Sequence, residues 1–316
     1  TTDQTVTLLR FFKRPLDILR DYRPAYLRND VLAGLTVAVV MLPQAIAYAR
    51  IAELPARTGL YAAVVSAVVA ALWGSSDQLQ TGPTNTGSLV VLATLLGVAS
   101  PGTPAYLRAA GLMAVMVGVF RLAMGLARLG VLVNFISDSV VVGFTSGAGA
   151  LIAFHQVRDL LRLPIPSTPL LSQTLTNIVA QIPATHVYSL AIGLGTILLI
   201  LVLERVRPRL PGALLGLVAA SAAVWVLGLD ELGVEIVGAL PRSLPPVADL
   251  PFLDIDLIRR LAMGSIAIGA IELVEVVSIS RSIAAQTGQR LDSNQEFVGQ
   301  GLANIACGIF SGYTCS

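Results

Sequence analysis

Residues 79–102 read LQTGPTNTGSLVVLATLLGVASPG. Gly82-Pro83 breaks any helix arriving from the N-terminal side, because proline has no N–H to give and its ring clashes with the preceding turn. Leu79–Thr81 is therefore expected to be extended, with a helix beginning between Thr84 and Thr86. The apolar run that follows, 86–99, is fourteen residues long. At 1.5 Å per residue it rises about 21 Å, against a hydrocarbon core of about 30 Å. A helix this apolar and this short has its N-terminus inside the membrane. Non-helical backbone at that depth is tolerated only where protein buries it or a watery cavity solvates it. Open N–H groups at such a start carry partial positive charge and attract anions without a buried lysine or arginine. Broken helices of this kind mark binding sites in transporters; a merely kinked span is the alternative reading.

The rest of the chain supports the membrane setting. Its 316 residues are 55% hydrophobic and 13% charged, far from the roughly one-quarter charged composition of a soluble domain. Uncharged stretches run through 31–49, 58–76, 78–107, 139–157, 163–203, 213–229 and 297–316. About nine hydrophobic helices follow, over 31–50, 58–74, 86–99, 105–126, 130–155, 186–204, 212–229, 257–285 and 294–310. Residues 5–28 mix apolar with basic side chains, as in a helix lying in the interface. Ser167-Thr168-Pro169 opens a second interfacial helix over 167–182, with Leu171, Leu175, Ile178, Val179 and Ile182 on one face. The basic residues of 1–30 and of the hinge at 204–209 place those ends in the cytoplasm, and the arginine-poor loop 230–256 suits the outer side. Lys13 is the only lysine among many arginines, the bias of a GC-rich bacterial genome.

Two further helices carry chemistry. In VMLPQAIAYA, Pro43 frees a backbone carbonyl in mid-helix and sets Gln44 and Tyr48 four residues apart on one face. A glutamine at that depth faces protein or a cavity, or else bonds to a neighbouring helix. In AIGAIELVEVVSISRS, Glu272 and Glu275 fall midway between Arg260 and Arg281, with no opposite charge nearby in that helix. Carboxylates at bilayer depth serve as relays, ion ligands or counter-ions. Glu275 shares its face with Ser278 and Ser282, which suits a proton-coupling group; a glutamate paired with an arginine of another helix is the structural alternative.

Other polar residues carry less. Cys307 and Cys315 have neither metal nor disulfide spacing and read as packing residues. His155 and His186 sit at helix ends. GFTSG, GALLG and GIFSG have the small-residue spacing of close helix packing. No HExxH, GxSxG or paired-aspartate motif is present, which argues against an intramembrane enzyme.

Three blocks, LRNDVLAGLTVAVVMLPQAIAYARIAELPARTGLYAA, TGPTNTGSL and ISRSIAAQTGQRLDSNQEFVGQGLANIACGIFSGY, resemble in order the signatures of the SulP anion permeases, also called solute carrier family 26. The resemblance runs from about residue 15 to the end. It implies an all-α polytopic membrane protein of seven-plus-seven inverted repeats, with the first repeat and two helices of the second present and a short strand before half-helix three. It divides the chain into an interfacial N-terminal segment (1–29), core helices one to four (30–128), gate helices five to seven (129–230), an extracytoplasmic loop (231–256), and core helices eight and nine with the start of a strand (257–316). The tenth helix, the rest of the second repeat and a C-terminal STAS domain are expected beyond Ser316.

The resemblance also implies a site. The glutamine after the first helix's proline is Gln44, the aromatic four residues on is Tyr48, and the start of the third helix is Thr84, Asn85, Thr86, Gly87 and Ser88. Many members carry a bulky apolar residue at position 84, so a threonine there makes this site more hydrophilic and leaves substrate choice open. Glu275 falls where several symporters keep an acidic residue, with Glu272 and Ser278 beside it. The function expected is secondary active transport of a small inorganic or carboxylate anion, such as sulfate, bicarbonate or fumarate, coupled to a proton or sodium ion in a bacterial cytoplasmic membrane. Proton symport is preferred, because two glutamates near an anion repel it unless one carries a proton. An anion exchanger, or an anion channel or voltage-sensing motor, is the alternative. No organic cofactor, metal or nucleic acid is called for, and a homodimer stays open.

Overall fold

Side-chain caps start the helices around the broken segment. Thr84 accepts from the Gly87 N–H, Thr103 from Tyr106 with Pro104 in the first turn, Asp254 from Leu257, and Asp292 from Asn294 and Gln295. Each cap satisfies a donor that the helix itself cannot pair. The computed structural model describes residues 2–130, 156–163, 171–207, 212–236, 243–289 and 291–316, with isolated positions between 143 and 165.

The helices are α1 (Thr2–Asp21), α2 (Leu27–Ile51), α3 (Ala56–Trp73), α4 (Asn85–Leu95), α5 (Pro104–Leu126), α6 (Leu171–Gln181), α7 (Val187–Val206), α8 (Gly212–Val226), α9 (Ile255–Thr287) and α10 (Ser293–Ile309). Among the described residues, five helical segments are long and apolar enough to cross a membrane, namely Pro24–Ile51, Ala56–Trp73, Pro104–Leu126, Val187–Val206 and Ile255–Ser280. α4 and Leu214–Val226 are apolar but shorter. The eleven residues of α4 rise about 16 Å, and the expected run to 99 ends instead in turns after Leu95. The span expected at 130–155, His155 and the start of the 167–182 helix lie outside the described residues.

The chain divides into two compact units, one of Thr1–Tyr26, Ala45–Ala148 and Arg242–Ser316, the other of Leu27–Gln44 and Gly149–Pro241. In the first, Tyr106, Leu112, Met113, Val117, Leu95, Leu261 and Ile268 form a core that is almost fully buried. α5 and α10 pack antiparallel along two glycine stripes of the same period. Gly111, Gly118 and Gly125 face Gly308, Gly301 and Asn294, each set seven residues apart. A Cβ on Gly118 would meet the Gly301 carbonyl and the Ile305 nitrogen at 2.6 Å, so only glycine permits this approach. Phe11 of α1 is buried in the same unit, and its carbonyl accepts from Gln295 Nε2 at 3.3 Å.

The second unit contains α6, α7 and α8. Gly216 of α8 admits Ile200 of α7. His186 caps α7, with Nδ1 accepting from the Ser189 N–H at 3.3 Å and Nε2 donating to the Leu232 carbonyl at 3.1 Å.

One expectation is corrected. No strand is assigned among the described residues, either at Leu79–Thr81 or before a tenth helix. The two segments are joined by a reciprocal pair of backbone hydrogen bonds, the unit from which a ladder is built. Gly82 donates to the Ser316 carbonyl at 2.9 Å and Ser316 to that of Gly82 at 2.8 Å. The Thr81 carbonyl accepts from Gln80 Nε2 at 2.9 Å.

Candidate functional site

The start of α4 is buried and incompletely paired. Thr84 Oγ1 accepts from the Gly87 N–H at 3.1 Å, and the Thr84 carbonyl accepts from the Ser88 N–H at 3.0 Å and its hydroxyl at 2.6 Å. With the Ser88 proton so placed, the Tyr313 hydroxyl, 2.9 Å away, donates to Ser88 Oγ. The N–H groups of Asn85 and Thr86 find no partner among the described residues. Asn85 is 3% exposed, and neither its amide oxygen nor its nitrogen is hydrogen-bonded. A buried primary amide left unsatisfied at a helix N-terminus costs free energy until something bonds to it, and the open N–H groups there favour an anion.

Tyr48 reaches this region from α2 and lies within electrostatic range of Glu275 and Tyr313. Gln44 stands one turn earlier on the same helix, is exposed, and closes the second unit.

α9 brings the two glutamates alongside. Glu272 is fully buried and pairs with Arg121 of α5, also fully buried. Arg121 Nη1 donates in addition to the Cys315 carbonyl at 2.9 Å. Glu272 thus adopts the alternative left open by the sequence, a glutamate paired with an arginine of another helix. Its second oxygen, Oε1, packs on the α-carbon of Gly87, where any side chain would collide with it. Glu275, one turn on, keeps a buried Oε2 without a hydrogen-bond partner. Ser278 does not supply that partner: its hydroxyl donates to the Val274 carbonyl of its own helix at 2.6 Å. The side chain of Ser282 lies outside the description.

Both extended segments hang on a polar stripe of α10. Glu296 Oε2 accepts from the N–H groups of Ser75 at 2.9 Å and Ser76 at 3.3 Å. Gln300, four residues on, donates to Thr81 Oγ1 at 2.8 Å. Asn304, four further, donates to the Cys315 carbonyl at 2.8 Å and accepts from its N–H at 3.0 Å. Glu296, Gln300 and Asn304 lie within DSNQEFVGQGLANI (292–305), part of the third block quoted above, so that block has a structural role: it fixes the approaches to the α4 start from either side.

Arg121, Tyr313 and this stripe are site features that the sequence reading missed. Arg121 lies near the end of an apolar span and reads there as an interfacial charge. The i, i+4, i+8 spacing of Glu296, Gln300 and Asn304 is the signal that marks this face in the sequence.

The chain is similar in sequence and fold to known proteins. A probable sulfate transporter of Mycobacterium tuberculosis is 32% identical over 297 residues, which cover 94% of this chain and 53% of that protein. The transmembrane domain of a cyanobacterium bicarbonate transporter, BicA, superposes with a TM-score of 0.81 at 25% identity, covering 93% of this chain and 75% of that one. The murine solute carrier 26 family member A9 anion transporter, in the inward-facing state, gives a TM-score of 0.81 at 22% identity over 96% of this chain and 53% of that one. The fold is therefore the all-α, polytopic, inverted-repeat membrane fold, and the chain spans about half the length of the curated relatives it matches. Residues 27–316 match the profile described as the sulfate permease family, and the chain belongs to that family.

Proposed function

We propose that the full-length protein is a secondary active transporter that carries a small anion together with a proton. The observation that carries this reading is the α4 start, where the buried, unpaired Asn85 amide and the open N–H groups of Asn85 and Thr86 lie in the same unit as an unpaired carboxylate, Glu275. The anion is attracted by the helix dipole and by hydroxyl and amide donors of Thr84, Asn85, Thr86 and Tyr48, with Gly87 and Ser88 shaping the turn and Gln44 contributing from the preceding turn of α2. Glu275 carries the proton, which removes a negative charge that would otherwise repel the anion. The relatives' names, a sulfate transporter and a bicarbonate transporter, support an oxyanion or carboxylate as cargo.

Residues 30–128 and 257–316 act as the core and 129–230 as the gate, with 231–256 outside and the N-terminus in the bacterial cytoplasm. The division into two units supports this assignment for 149–230, while Leu27–Gln44 and the first part of the loop, to Pro241, group with the second unit. A C-terminal STAS domain and a homodimer belong to the same proposal.

The test is uptake of labelled sulfate, bicarbonate and fumarate by the full-length protein in proteoliposomes, with and without an inward proton gradient. Accumulation of one anion that requires the gradient supports symport and names the cargo. Uptake that ignores the gradient replaces symport with exchange or channel conduction.

A further inference from the structure

Two carboxylates one turn apart on α9 are both candidates for the coupling proton, and their surroundings separate them. The elements packed against α9 in this unit are α4 and α5. α4, NTGSLVVLATL, has no ionisable side chain. α5 supplies Arg121, while its other arginine, Arg108, lies at the opposite end beside Asp249. Tyr48 and Tyr313 complete the groups within electrostatic reach. Among the described residues Arg121 is the one buried arginine. It is held at two points, by the Glu272 carboxylate and by the Cys315 carbonyl, and Glu272 is wedged between it and the bare α-carbon of Gly87.

We infer that Arg121 is the positioning residue that decides which glutamate couples: by pairing with Glu272 it forms a unit of no net charge that stays closed through the cycle, leaving Glu275 as the single proton carrier. This rests on the proton-symport reading above and makes it specific. One carboxylate is then neutralised permanently by a side chain and the other transiently by a proton, so the site gains one positive charge per cycle. The guanidinium has a second consequence. By tying Cys315 to Glu272 it joins the extended segment after α10 to α9, the helix that bears the coupling group.

Removing one member of a buried ion pair strands the other charge, whereas replacing both with neutral groups of similar shape is far better tolerated. That asymmetry is the basis of the test. Full-length Arg121→Gln, Arg121→Gln/Glu272→Gln and Glu275→Gln proteins are compared with wild type for thermal unfolding and for gradient-driven anion uptake across a pH series. Arg121→Gln should melt below wild type and lose at least tenfold in accumulation. The double variant should melt above Arg121→Gln and recover gradient-driven accumulation, with the wild-type pH profile, because its proton carrier is untouched. Glu275→Gln should equilibrate the anion without accumulating it.

A double variant that folds but has lost its response to the gradient, or whose pH profile has moved, overturns the inference and assigns the proton to Glu272. A double variant that melts no higher than Arg121→Gln refutes the neutral pair itself. Failure of the symport reading shows separately, as wild-type uptake indifferent to the gradient.

Discussion

Glu275 and Gly87 are the residues whose substitution separates chemistry from packing. Changing Glu275 to Gln keeps the shape and hydrogen-bonding capacity of the side chain and removes its proton exchange. Uptake should lose its dependence on a pH gradient, while equilibrium binding of the anion to detergent-purified protein stays within a few-fold of wild type; unchanged proton-driven uptake would sink the assignment. Gly87→Ala makes the opposite kind of change. It adds one methyl group at the point where Glu272 Oε1 rests on the backbone, so the carboxylate has to move away from Arg121 or α4 has to shift. Overpacking of this kind costs about 1–3 kcal/mol, and the extra methyl lies in the same first turn as the open Asn85 and Thr86 N–H groups. A lower melting temperature together with weakened anion binding is expected, and an alanine variant that melts and binds like wild type would show that the contact is slack. At this scale the sequence is informative about residue type and silent about partners: two glutamates in an apolar helix stand out, but nothing local says that one of them has an arginine.

Among the elements, the α5–α10 pair is the backbone of the first unit. Its glycines repeat every seven residues on both helices, which brings two main chains together and lets α10 present Glu296, Gln300 and Asn304 to the extended segments. Gly118→Leu should therefore be severely destabilising, by at least the roughly 1–3 kcal/mol of an overpacked core, with low yield of folded protein. Gly195→Leu is the control, because α7 has open space at that position. Thermal unfolding in detergent reads both, and equal melting of the two variants would contradict the close seam. The boundary before α4 was itself legible. Gly82-Pro83 ends one conformation and Thr84 begins the next through a cap that spans three residues, an interaction short enough to be written in the local sequence. What Leu79–Thr81 runs beside is not written locally, because backbone pairing depends on a distant segment: Gly82 exchanges its two hydrogen bonds with Ser316.

At the scale of the whole molecule, Cys307 and Cys315 report on the packing of the first unit. Both are free thiols, fully buried, with sulfurs 3.6 Å apart. A membrane-permeant maleimide should leave them unlabelled in the folded full-length protein and label both after denaturation; rapid labelling of the native protein would mean that the segment after α10 opens readily. Membrane class, the shortness of α4 and the break before it were determined by the sequence itself. Each is a comparison between a short stretch of chain and a fixed physical scale, such as the thickness of hydrocarbon or the missing N–H of proline. Only the tertiary structure decided which charges meet. Arg121 and Glu272 are 151 positions apart and Ser75 and Glu296 are 221 apart, and such pairs form where helices are brought close by glycine seams. The energy of a buried ion pair depends on that proximity and on exclusion of water, and neither is a property of any local stretch of sequence.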